Sequence, residues 1–112
     1  MMDIIKNLET LLRRGQDNAL IRYSLGNEYA RAKKFTEAIK HLDRAIELDP
    51  GYSAAWKLYG KALAGNSQFN EAIKAYEKGI AVAEKKGDIQ AAKEMKVFLK
   101  RLKSKEQGNT AK

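Results

Sequence analysis

Catalysis needs a nucleophile, a tuned acid–base pair, a metal cluster or a cofactor loop, and this chain of 112 residues offers little of that kind. Its one histidine, His41, stands between Lys40 and Leu42. A lone histidine in a helical pattern reads as a solvated surface side chain. Cysteine is absent, which removes thiolate chemistry, disulfides and cysteine-based metal sites. There is no phosphate loop, no GxGxxG and no HExxH. The expectation is a protein that is not an enzyme and has no cofactor or metal. What the chain has in quantity is positive charge: 22 Lys and Arg against 14 Asp and Glu, net +8. The excess is concentrated at one end, since residues 85–112 hold 9 basic and 3 acidic side chains. Such a balance favours acidic partners and speeds encounter with them.

The elements that must position these cations are helices. Ala, Leu, Lys and Glu dominate while Val and Thr are scarce, and unbranched side chains lose little rotamer freedom in a helix. The helices repeat. Shifted by 34 residues, Phe35 falls on Phe69, Glu37 on Glu71, Ala38 on Ala72, Ile39 on Ile73, Lys40 on Lys74 and Gly26 on Gly60. The same shift backwards sets Asp3 to Lys6 on Glu37 to Lys40, and Leu8 on Leu42. The N-terminal helix, 3–14, therefore reads as the second half of a repeat.

Within a unit, Ala38, Ile39, Leu42, Ala45 and Ile46 follow the three- and four-residue spacing of one buried helical face. Thr36, Ser53 and Asn70 are expected as N-caps. Gly15 and Gly87 suit left-handed positions after a helix, and Asp49-Pro50-Gly51 ends another. Residues 88–105 read as a capping helix with an apolar stripe of Ile89, Ala92, Met95, Phe98, Leu99 and Leu102. Its other faces carry Lys93, Lys96, Lys100, Arg101, Lys103 and Lys105, the polar outer side that a terminal repeat needs. Residues 107–112 are expected to form a disordered tail. At the other end Ile4 and Leu11 are expected to be partly exposed, which makes a homodimer through the N-terminal end conceivable.

These residues carry a resemblance. Leu25-Gly26, Tyr29, Ala38, Leu42, Ala45 and Pro50 in 19–52, and Trp56, Tyr59-Gly60, Leu63, Ala72 and Tyr76 in 53–86, resemble the tetratricopeptide repeat. Arg22 departs from its Trp position, Gly79 from an Ala and Glu84 from a Pro. The resemblance implies an all-α, right-handed α-solenoid of antiparallel helix pairs, about six helices in one domain over 1–106. It implies that Trp56, Leu25, Tyr59 and Leu63 fill the core, so that Trp56→Ala would cost roughly 3–5 kcal/mol. It further implies a concave groove lined by the first helix of each repeat: Leu20, Tyr23, Asn27 and Arg31, then Ala54, Lys57, Lys61 and Ala64, then Lys93 and Val97. Of the Lys–Asn–Asn–Lys–Arg clamp that some members use for a peptide's terminal carboxylate, Asn27 alone is in place. Tyr23, Leu58, Gln90 and Glu94 stand at the other positions.

The function these features imply is a binding adaptor or scaffold that takes a protein or peptide, an acidic one, through Tyr23, Asn27, Arg31, Lys57, Lys61 and Lys93. Nucleic-acid association through the basic C-terminal segment is an alternative, lacking stacking aromatics beyond Phe98. A self-assembling structural unit is another. No apolar run reaches the roughly 18 residues that span a bilayer, no signal peptide precedes the first helix, and cysteine is absent, so a cytoplasmic, bacterial-type protein is expected, with no membrane partner.

Overall fold

In a computed structural model, residues 3–110 are described, with side chains through Lys105. They form six helices in chain order and no strand among the described residues: α1 Ile4–Arg13, α2 Ala19–Arg31, α3 Phe35–Leu48, α4 Ser53–Gly65, α5 Phe69–Lys86 and α6 Ile89–Thr110. Each helix packs on its neighbour in sequence, and α4 also touches both α2 and α6. The result is an elongated α-solenoid of 50 × 32 × 22 Å.

Chain reversals share one device. The amides of Gln16, Lys34, Gln68 and Asp88 each donate to the carbonyl five residues earlier, on Leu11, Tyr29, Leu63 and Ala83. That bond closes a Schellman turn and needs a left-handed residue just before the donor. Gly15 (φ 89°) and Gly87 (φ 83°) supply it as expected. Lys33 (φ 60°) and Ser67 (φ 61°) supply it without being glycine, at the same 34-residue spacing as the side chains. The α3–α4 reversal differs: Asp49 accepts from the Gly51 amide at 3.2 Å, and the Pro50 carbonyl accepts from Trp56 Nε1 at 2.9 Å.

The expected N-caps are corrected here. The helices begin at Phe35, Ser53 and Phe69, so the caps are Lys34, Tyr52 and Gln68, none with a side-chain bond. After Lys33 and Ser67 a single residue precedes the next helix, so Thr36 and Asn70 fall inside the first turn. Side-chain caps occur instead at Asp3, Asn18 and Asp88, which accept from the amides of Lys6, Ile21 and Ala91. The last helix runs beyond residue 105. The backbone of α6 stays helical to Thr110, because no proline or left-handed glycine interrupts it, and 111–112 lie outside the described residues.

Packing follows the repeat. Leu25, Ala38, Leu42, Leu63 and Ala72 are buried, while Trp56 and Tyr59 are half-buried against them. A β-carbon on Gly26 would stand 2.5 Å from Leu42 Cγ, and one on Gly60 would overlap the Tyr76 ring. Gly79, the departure from alanine, has a cause: a β-carbon there would meet Met95 Sδ at 2.6 Å and Trp56 Cβ at 2.8 Å. Met95 is the anchor of α6, fully buried with Ala91 and Ala92 against Tyr76 and Ala83. Ile89 does not share that burial and is 67% exposed. At the other end Ile4 is 53% exposed and Leu11 half-buried.

Candidate functional site

The first helices of the repeats, α2, α4 and α6, lie side by side, and a groove of about 420 Å³ opens between α4 and α6. Its floor is apolar: Ala64 from α4, the edge of Tyr76 from α5, and Phe98 and Leu102 from α6. Its rim is cationic, made by Lys61, Arg101 and Lys105. Lys61 Nζ sits 5.5 Å from the centre of the Phe98 ring, a cation–π contact that keeps the ammonium over the groove at a gain of about 0.5–1 kcal/mol. Beside the groove, Lys57 bonds Glu94 Oε1 at 2.6 Å across α4 and α6. That bond, with a second from Gln90, holds the Glu94 carboxyl below its usual range.

The expected site residues do not converge on one place. Lys57 and Lys61 reach α6 as described. Lys93 is exposed on α6 without lining the groove. Tyr23 packs its ring 5.0 Å from Tyr52 and belongs to the Leu42 core cluster. Asn27 is half-buried on α2. Arg31 lies at the end of α2 with a side chain 73% exposed and a loose 3.8 Å pairing to Glu28. Phe98, Arg101 and Lys105 were not among the expected groove residues. The four-residue step from Lys93 to Val97 continues to Arg101 and Lys105, so two further turns of the same face would have found both cations.

The charge of α6 is also less free than its composition suggests. Lys96 pairs with Glu84 at 2.7 Å and Lys103 with Glu77 at 3.4 Å, both glutamates on α5.

A second polar cluster joins α1, α2 and α3. Arg22 holds Asp17 through two bonds of 2.8 and 3.1 Å, and a third nitrogen lies 3.1 Å from His41 Nδ1. A guanidinium can only donate, so Nδ1 accepts and the ring is neutral with its proton on Nε2. Burial, then the Arg22 charge, pushes the His41 pKa down. The ring stacks on Tyr29, 5.5 Å between centres and 4° from parallel, and the Tyr29 hydroxyl donates to Glu9 of α1. That bond, burial and the acidic neighbours push Tyr29 up to about 12. His41 is therefore a half-buried structural residue, not the solvated side chain expected. Arg22, at the family's Trp position, replaces aromatic packing with this network. Among the described residues no group of three His, Cys, Asp or Glu could hold a metal, and no helix is long and apolar enough to cross a membrane.

The tetratricopeptide repeat profile matches residues 19–52, and a second profile of that description matches 41–74. A TPR repeat-containing protein of Pseudomonas aeruginosa is 48% identical over 99 residues, covering 88% of this chain and 94% of its own. This chain belongs to the tetratricopeptide repeat family. Among solved structures, a Bordetella parapertussis protein determined in solution is 44% identical with a TM-score of 0.83, covering 94% of this chain and 91% of that one. The second TPR domain of human RPAP3, in complex with the HSP70 peptide SGPTIEEVD, is 26% identical with a TM-score of 0.68, covering 82% and 78%. The TPR assignment accounts for the antiparallel helix pairs and the close-approach glycines.

Proposed function

We propose that this TPR protein is a protein–protein interaction adaptor that takes an acidic peptide segment in the α4–α6 groove. The observation that carries the reading is the groove itself: Lys61, Arg101 and Lys105 around an apolar floor of Phe98, Ala64 and Leu102. Ammonium and guanidinium groups bind carboxylates through charge-assisted bonds, while the floor receives one apolar side chain of the same segment. The RPAP3 complex supports the class of ligand, since its peptide carries two glutamates and a terminal aspartate. Nucleic acid is the poorer fit, because Lys96 and Lys103 already face carboxylates of α5 and the Phe98 ring lies under Lys61.

An array of immobilised nonapeptides of graded acidity, each with one aliphatic or aromatic residue, tests the reading. Retention should rise with the number of carboxylates, fall with salt, and disappear for Lys61→Glu/Arg101→Glu while helicity by circular dichroism is kept. Retention independent of peptide charge, or unchanged in the double variant, would overturn it.

Self-association through the N-terminal end is a separate proposal, supported by the exposure of Ile4. A mass that stays monomeric as concentration rises would end it.

A further inference from the structure

Among the described side chains on the groove side of α6, Glu94 is the one carboxylate among cations, and it is held by two donors. Lys57 Nζ reaches Glu94 Oε1 at 2.6 Å, and Gln90 Nε2 reaches Oε2 at 3.2 Å. The two charged side chains keep 31% and 38% of their surface exposed, so the pair is covered but open to displacement. Glu94 stands one helical turn before Phe98 and two before Arg101 and Leu102, which sets the pair at the end of the groove that Lys61 bridges. An ammonium and an amide converging on a carboxylate are the donors that an incoming carboxylate would require.

We infer that Lys57 and Gln90 form a carboxylate subsite of the groove, filled by Glu94 until the carboxylate of an acidic peptide displaces it. The inference rests on the peptide-binding reading above and adds the place where a ligand carboxylate sits and the competitor it meets. Displacement exchanges one ion pair for another and turns Glu94 outward into water. Because Glu94 is tethered, its effective concentration at Lys57 is high. A peptide with a single carboxylate therefore loses the competition. One that also engages Lys61 and Arg101 through further carboxylates wins it. Glu94 thus makes the groove selective for the number of acidic residues rather than for the presence of one.

The test is fluorescence anisotropy on the full chain at low salt, with labelled SGPTIEEVD, labelled hexaglutamate, and isosteres of both in which Gln and Asn replace Glu and Asp. Glu94→Gln keeps the size of the side chain and removes its charge. It should tighten both acidic probes by about threefold to tenfold and leave the isosteres unchanged. Lys57→Met should change binding less than about twofold in the native background, where Lys57 is already paired, and should erase the gain when added to Glu94→Gln. Unchanged affinity in Glu94→Gln, or a gain that survives Lys57→Met, overturns the subsite and leaves the groove reading standing. Failure of native protein and every variant to bind either acidic probe overturns the groove reading, and the subsite with it.

Discussion

His41 accepts a hydrogen bond from a cation, which is possible only while the ring is neutral. Burial and then the Arg22 charge oppose its protonation most, and Glu9 favours it more weakly. The folded pKa lies below the unfolded one, so the native state holds fewer protons on this group than the unfolded chain. Its contribution to stability is full above the ordinary histidine pKa of about 6.5 and is lost as pH falls through the folded value. The melting temperature should drop on acidification from neutral pH, and His41→Asn should flatten that part of the profile; an equal slope in both proteins would refute the assignment. Trp56 gives a second residue-scale prediction. It is half-buried, touches two core clusters and donates to Pro50, so Trp56→Ala should cost about 3 kcal/mol, at the low end of what a fully enclosed aromatic would lose. Urea denaturation measures it.

At the scale of the element, the repeat works by letting helices approach closely. Gly60→Ala gains about 1 kcal/mol of helix propensity, yet its β-carbon would lie 2.4 Å from Cε1 of the buried Tyr76 ring. Overpacking of that kind costs about 1–3 kcal/mol, so the net change should be destabilising. Gly26→Ala meets the flexible Leu42 side chain instead and should cost less; the order of the two melting temperatures checks this. The turns give the opposite expectation. Lys33 and Ser67 hold left-handed backbone without being glycine, a strain of about 1 kcal/mol. Ser67→Gly should therefore be neutral or stabilising by up to about 1 kcal/mol, and a clear loss of stability would show that the Ser67 side chain matters.

For the whole molecule, the array needs its last helix. Met95, Ala91 and Ala92 cover Tyr76 and Ala83, and no other described helix lies on that face of α5 except α4. Removal of residues 89–112 should expose this apolar surface and abolish cooperative unfolding, as expected for a stack whose repeats cannot bury their faces alone. A truncated chain with an unchanged sharp melting transition would show that α6 is dispensable to the fold. Lys96 and Lys103, tied to Glu84 and Glu77, contribute little to that cover.

The fold was legible in the sequence because a helical repeat is written in local spacing. The 34-residue shift, the apolar stripes, Gly15 and Gly87, and the small residues at Gly26, Ala38, Gly60 and Ala72 need only the period of a helix to be read. Lys57 and Lys61 were expected on the groove side through the resemblance to the repeat family, not through spacing. What only the tertiary structure decided are the contacts between elements far apart in the chain. Lys57 and Glu94 are 37 residues apart, Arg22 and His41 are 19 apart, and Tyr29 meets Glu9 across 20. Each depends on helix spacing and side-chain rotamers, which no periodicity encodes. That is why His41 changed from a surface residue to a half-buried acceptor. It is also why the cations of α6 proved to be divided between α5 and the groove.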